Sequence, residues 1–96
     1  MIEVRLSTES SNNTLIRFDG QVVEFFSYVV RQSIRIHVFQ IARIEIVTDK
    51  KGRNLLNVTS KYVDMPLLTG ETVRPEALAD AQAFVMAVQQ AMASYS

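Results

Sequence analysis

Residues 74–96 constrain the fold of this chain most, because they alone have a clean helical period. Apolar residues recur in this stretch at spacings of three and four, at Leu78, Ala81, Phe84, Val85, Val88, Met92 and Tyr95. On an α-helix such spacings place the side chains in one stripe, which must be buried. Everything before Gly70 has the pattern of strands and turns. The sequence therefore predicts a helix over about residues 74–95 that packs against a β-rich body.

Seven short strands are predicted between residues 2 and 68, from alternating apolar and polar residues bounded by turn signals. They cover about residues 2–6, 14–18, 21–26, 33–38, 43–48, 53–60 and 62–68. Asp19-Gly20 and residues 49–52 predict hairpin turns, since glycine accepts a positive φ. Pro66 restricts the last strand to a sheet edge, because proline cannot donate to a ladder.

Three connecting segments are predicted where the alternation of apolar and polar residues is less regular. Residues 27–32 fit a strand, a bulge or a loop, because the alternation slips there. A similar slip predicts a connection over residues 39–42, after which the pair Leu56 and Val58 should lie opposite the pair Ile44 and Ile46. Residues 69–72 are predicted to link the last strand to the helix, with Pro75 in the first helical turn, where its missing N–H is not needed.

The composition bounds the class of protein. At 96 residues the chain predicts a single domain over residues 1–96. Ten basic and ten acidic residues cancel, which argues against nucleic-acid binding and gives no support to membrane association. The absence of cysteine excludes disulfides and thiolate metal sites. No secretory signal is visible at the N-terminus, so a cytoplasmic protein is expected.

No catalytic, cofactor-binding or metal-binding residues are predicted. His37 is the only histidine, so neither a histidine-based triad nor a multi-histidine metal site can be built. The acids are scattered over turns and strand exteriors rather than paired in a cleft. No phosphate-binding loop, nucleophile elbow or dinucleotide motif is present. A non-enzymatic protein without a cofactor is expected.

The chain resembles the pleckstrin-homology-like (PH-like) domains that occur as short stand-alone bacterial proteins. The resemblance is carried by the strand–connection–strand stretch 34–46, the charged hairpin 49–52 leading into 54–58, and the helix 77–92. It implies a bent, partly closed antiparallel barrel of about seven strands, capped by the C-terminal helix. Members bind lipids, peptides or other proteins. Phosphoinositide-binding members cluster basic residues between the first two strands, whereas residues 7–13 here contain Glu9 and no basic residue.

Two candidate interface surfaces follow from the pattern. No charged residue occurs after Asp80, although a solvent-facing helix normally displays Lys and Glu. The helix side opposite the core stripe carries Ala79, Ala83, Met86, Ala87, Gln90 and Ala93. This side either contacts another protein or is simply made of good helix formers. The second candidate surface is Phe26, Tyr28 and Val30, which should be exposed if Val23 and Phe25 face the core.

Charged residues offer a third candidate site. Lys50, Lys51 and Arg53 form the densest basic cluster, which would suit an anion or lipid headgroup, or else keeps a hairpin tip hydrated. Arg35 and Arg43 with Glu45 are predicted on adjacent strands, where exposed ion pairs set register.

The function expected from the sequence is a non-enzymatic interaction module that self-associates as a homo-oligomer or docks a protein partner. The alternative is a domain that binds an anionic ligand or lipid headgroup through the basic hairpin.

Overall fold

The computed structural model describes residues 1–6, 14–27, 32–62 and 66–94. Within them the chain forms seven strands followed by one helix, which confirms the predicted mostly-β fold with a C-terminal helix. The strands are β1 (Ile2–Arg5), β2 (Thr14–Phe18), β3 (Val22–Ser27), β4 (Gln32–His37), β5 (Ile41–Thr48), β6 (Asn54–Ser60) and β7 (Pro66–Val73). The helix is α1 (Leu78–Ala93), and short 3₁₀ turns lie at Val38–Gln40 and Pro75–Ala77.

The strands form two antiparallel sheets in chain order. One sheet has the order β1-β2-β3-β4, and the other has the order β5-β6-β7. All neighbouring strands pair antiparallel, and the register shifts within the β5–β6 and β6–β7 ladders. In the described part of the chain no ladder joins the two sheets, so the strands do not close into a hydrogen-bonded barrel. Both β5 and β7 are therefore edge strands.

The β5–β6 hairpin confirms the predicted pairing. Ile44 lies opposite Val58 and Ile46 opposite Leu56. The register shifts between Ile41 and Arg43, which is the bulge behind the slip in alternation. The predicted connection over residues 39–42 is therefore shorter than expected, because β5 begins at Ile41.

Two glycines hold the hairpin turns. Gly20 has a φ of 103° and Gly52 a φ of 79°, conformations that cost little only without a Cβ. In the first turn one carboxylate oxygen of Asp19 accepts from the backbone N–H groups of Gln21 and Val22, at 2.9 and 2.8 Å. Both turns lie where the sequence predicts them.

The predicted linker over residues 69–72 is wrong. β7 continues through this stretch to Val73, and Glu71 pairs with Leu56 of β6. Pairing with a complete neighbouring strand outweighs the turn propensity of Thr69 and Gly70. The edge position predicted from Pro66 is confirmed, because proline is the first residue of the edge strand.

The predicted adjacency of Arg35 and Arg43 is also wrong. β4 and β5 belong to different sheets. Arg35 pairs across the ladder with Glu24 at 3.2 Å, whereas Arg43 contacts Glu45 on its own strand at 3.6 Å. Alternation along a strand predicts which face a residue occupies, but it does not predict which strand lies beside it.

α1 buries the predicted stripe against both sheets. It packs on β5, β1 and the 3₁₀ turn before β5. Phe84 is fully buried and meets Phe18 edge to face, with ring centroids 6.3 Å apart. Leu78 and Met92 are half-buried against the same core, and Tyr95 lies outside the described residues. The remaining core side chains on the helix and the turn before it are Ala77, Ala81, Val85 and Val88.

The helix begins later than predicted, because Pro75–Ala77 forms a 3₁₀ turn and α1 starts at Leu78. A proline at the first position of such a turn has no N–H to leave unsatisfied. No helix in the described part of the chain is long and apolar enough to cross a membrane.

One corner of the molecule ties the sheets together. The N–H of Arg74, just after β7, donates to the carbonyl of Leu6 at 3.0 Å, and the N–H of Leu6 donates to the carbonyl of Thr14 at 2.9 Å. The hydroxyl of Thr14 donates to a carboxylate oxygen of Glu71. These contacts connect β1 and β2 of the larger sheet to β7 of the smaller sheet.

Candidate functional site

The helix side opposite the core is uncharged and accessible. Ala79, Ala83, Met86 and Gln90 are all exposed and form what we name the outer helix face. Met86 leaves 58% of its surface exposed, which is unusual for a large apolar residue. Ala87, predicted on this side, is instead half-buried against the core. The exposure expected for these four residues is therefore observed, and the interface predicted there stays a prediction.

A groove runs beside the outer helix face, between α1 and β5. It has a volume of about 350 Å³ and is lined by Glu45, Ile46, Gln82, Val85, Met86 and Gln89. We name it the α1–β5 groove. The sequence did not predict it, because it joins residues far apart in the chain and no local pattern signals which strand lies beside the helix. Met86 lines both the groove and the outer helix face.

The backbone on the β5 side of this groove has a defined orientation. The N–H of Asp49 donates to the carbonyl of Arg53 at 2.9 Å, so these two residues form a hydrogen-bonded pair. Alternation along an antiparallel ladder then turns the backbone polar groups of Ile44, Ile46 and Thr48 away from β6. The side-chain amide of Gln89 confirms this direction, since its Nε2 donates to the carbonyl of Ile44 at 3.0 Å.

The second candidate surface is only partly described. Val23 and Phe25 are buried as predicted. Phe26 is half-buried rather than exposed, on the outer face of the larger sheet between Leu15 and Ser33. Tyr28 and Val30 lie outside the described residues.

The basic hairpin is organised around Asp49. One of its carboxylate oxygens accepts from the N–H groups of Lys51 and Arg53, both at 2.9 Å. The other is 2.8 Å from the Nε of Arg53. The backbone N–H of Arg53 is the main cause that lowers the pKa of Asp49 below its ordinary value of 3.8. Arg53 is thus paired within its own turn, while Lys50 and Lys51 are exposed.

A row of alternating charges crosses the larger sheet. Arg17 lies 2.9 Å from Glu3 and 3.9 Å from Glu24, and Glu24 in turn lies 3.2 Å from Arg35. Asp19 completes a polar cleft of about 190 Å³ beside the row. The pKa of Asp19 is lowered chiefly by the N–H of Val22. Because the charges in the row are mutually paired, the row is a poor binding site for an anion or a cation.

His37 has a structural role at the end of β4. It is half-buried, its Nδ1 accepts from the N–H of Phe39 at 3.3 Å, and its ring lies 4.4 Å from the ring of Phe39. These contacts begin the 3₁₀ turn that leads into β5. Over residues 1–6, 14–27, 32–62 and 66–94, no group of three or more His, Asp or Glu side chains is placed to hold a metal ion.

Comparison of the chain with protein-family models, with curated proteins and with solved structures finds no match. Its function is therefore inferred from the fold and the surfaces described above.

Proposed function

We propose that this chain is a PH-like, non-enzymatic interaction module that docks a protein partner, first of all a second copy of itself, through the outer helix face. The PH-like assignment is supported by consecutive antiparallel sheets of four and three strands followed by a helix that packs on both. A bent, partly closed barrel is the arrangement that the resemblance implies for such an order.

The docking function rests on one observation, the exposure of Met86 in the middle of an uncharged helix face. Charged residues are depleted at the cores of protein interfaces, because covering them removes their hydration. The alanines of this face allow another helix to approach closely, and Met86 is an unbranched side chain that adapts to the surface it meets. Because this face is uncharged, two copies that meet through it do not place like charges against each other.

Self-association is tested by light scattering and sedimentation equilibrium of the wild type and Met86→Glu. The wild type should associate in the high micromolar range. Met86→Glu should shift the association constant by about tenfold or more toward monomer, which corresponds to about 1.4 kcal/mol. Lys50→Glu is the control, because it changes charge at the hairpin tip and leaves the helix untouched. A wild type that stays monomeric at these concentrations would remove self-association as the function.

The alternative function, binding of an anionic ligand or lipid headgroup, rests on exposed Lys50 and Lys51. Arg53 contributes less to this anion site than the sequence predicts, because its guanidinium is paired with the carboxylate of Asp49. Co-sedimentation with anionic vesicles, comparing wild type and Lys50→Glu/Lys51→Glu, tests this alternative. Equal binding of both proteins would exclude a headgroup site at the hairpin.

A further inference from the structure

β4 is an outer strand of the larger sheet, and its outer edge lacks a neighbouring strand in the described part of the chain. The N–H of Val38, just after β4, donates to the carbonyl of Gln21 at 2.8 Å. These two residues continue the β3–β4 register as a hydrogen-bonded pair. Alternation along the ladder then turns the backbone N–H and C=O groups of Ser33 and Arg35 away from β3 and toward the outer edge.

Gln40 caps one end of this edge. Its side-chain Oε1 accepts from the backbone N–H of His37 at 3.2 Å, which confirms that the odd-numbered residues of β4 turn their backbone groups outward. Further along the edge Ser33, Ile34 and Arg35 are all exposed. An exposed edge with outward polar groups is a template for another strand.

The other outer strands of the two sheets carry features that block such pairing. β1 has four residues and packs against α1, the β5 ladder shifts register and Gln89 caps the carbonyl of Ile44, and β7 begins at Pro66. Short strands, covering helices, bulges and proline all protect an edge. β4 has six residues in an unbroken register and no proline. Its one charged residue, Arg35, is drawn back to Glu24 of β3 at 3.2 Å.

Ile34 is an apolar residue that the edge of β4 leaves partly uncovered. It lies opposite Phe25, which is only 3% exposed. Directly opposite residues share one face of a sheet, so Ile34 is on the core face, yet 37% of its surface is exposed. A further strand beside β4 would cover it.

From this geometry we infer that β4 pairs with β4 of a second copy of this chain, antiparallel and about a two-fold axis at Ile34. The two Ile34 residues then form a non-hydrogen-bonded pair, in which opposite side chains are closest. Ser33 of each copy lies opposite Arg35 of the other and exchanges main-chain hydrogen bonds with it. The two larger sheets join into one. This surface is distinct from the outer helix face, so the inference goes beyond the proposed function.

The side chains of β4 select both the partner and the register. A two-fold axis at Arg35 keeps the hydrogen-bond pattern but places the two arginines opposite each other, which is destabilising. An axis at Ser33 places Ile34 opposite Gln32 instead of an apolar residue. A strand that pairs with β4 needs an apolar residue opposite Ile34 and no cation opposite Arg35. β4 of a second copy meets both conditions when the axis lies at Ile34.

A cysteine scan tests the register, because the chain has no cysteine of its own. Opposite residues of a non-hydrogen-bonded pair have Cα atoms about 4.5 Å apart, a distance that a disulfide spans. Ile34→Cys should therefore form the disulfide-linked dimer in oxidised glutathione about tenfold faster than Ser33→Cys or Arg35→Cys. These two variants are the controls, since each cysteine is two positions out of register with its copy. Non-reducing electrophoresis over time measures the rates.

Sedimentation equilibrium of the cysteine-free chain tests the contact itself. Ile34→Lys should weaken association about tenfold or more, because it places two lysines against each other at the two-fold axis. Ile2→Lys is the matched control, since Ile2 is 36% exposed and lies on β1 at the opposite edge of the same sheet. It should associate like wild type. Raising the protein concentration should also slow hydrogen exchange of the Arg35 amide.

Equal cross-linking rates at the three positions, or equal association of Ile34→Lys and Ile2→Lys, would overturn the inference. Its failure is separable from failure of the outer helix face. Association that survives Met86→Glu and is lost in Ile34→Lys supports the β4 pairing and removes the helix face, whereas the reverse result removes the β4 pairing. Weakened association in both variants shows that the chain uses both surfaces.

Discussion

Single carboxylates fix the turns of this fold and make its stability depend on pH. Asp19 and Asp49 each accept two backbone N–H bonds, and the pKa of each is lowered in the folded chain. A group whose folded pKa is depressed stabilises the fold above its unfolded pKa, close to 3.8. That contribution is lost as the pH falls through the lowered folded pKa.

We therefore expect the urea midpoint of the wild type to fall as the pH drops from about 5 toward strongly acid values. Asp49→Asn should lower the midpoint at neutral pH and flatten this acid dependence, because one of the depressed carboxylates is gone. Asp19→Asn should do the same through its own turn. An acid dependence identical in wild type and Asp49→Asn would contradict the role assigned to the Asp49 hydrogen bonds.

At the scale of the element, the two sides of α1 should respond differently to truncation. Phe84 is fully buried against Phe18, so Phe84→Ala removes a ring from the core and should cost about 3–5 kcal/mol. Ala83→Gly, one residue earlier on the exposed side, should cost only the helix propensity difference of about 1 kcal/mol. Urea unfolding followed by far-UV circular dichroism measures both. Similar losses in the two variants would contradict the assignment of the buried stripe.

The helix was predictable from the sequence because its signal is local. The spacing of Phe84, Val85 and Val88 depends only on the helical repeat, and it predicted both the buried stripe and the exposure of Met86 opposite to it. The β5–β6 hairpin was predictable for the same reason, since Gly52 marks the turn and the turn sets the register.

Other predictions failed where the neighbours of an element are distant in sequence. Glu71 was predicted in a linker because Thr69 and Gly70 resemble a turn, but pairing with β6 holds them in a strand. Arg43 was predicted beside Arg35, although the chain changes sheets between them. The α1–β5 groove was missed in the same way, because sheet order alone decides that β5 is an edge.

For the whole molecule, the two sheets depend on one polar corner in addition to the shared core. Thr14 of the larger sheet is buried to 4% exposure, and its hydroxyl donates to the half-buried carboxylate of Glu71 in the smaller sheet. Hydrogen bonds to charged groups contribute about 1.5–3 kcal/mol. The nearby backbone bond from Arg74 to Leu6 reinforces the same corner.

Thr14→Val keeps the shape of the side chain and removes the donor, so it should lower the free energy of unfolding by about 1.5–3 kcal/mol. Thr14→Ser keeps the hydroxyl and loses only a methyl group, so it should be the more stable of the two variants. Combining Thr14→Val with Glu71→Ala in a double-mutant cycle isolates the interaction from the packing change. Strictly additive effects would show that this hydrogen bond contributes nothing to holding the two sheets together. A coupling near the size of the single-variant loss would show that this hydrogen bond fixes the larger sheet, through β2, to the edge strand β7.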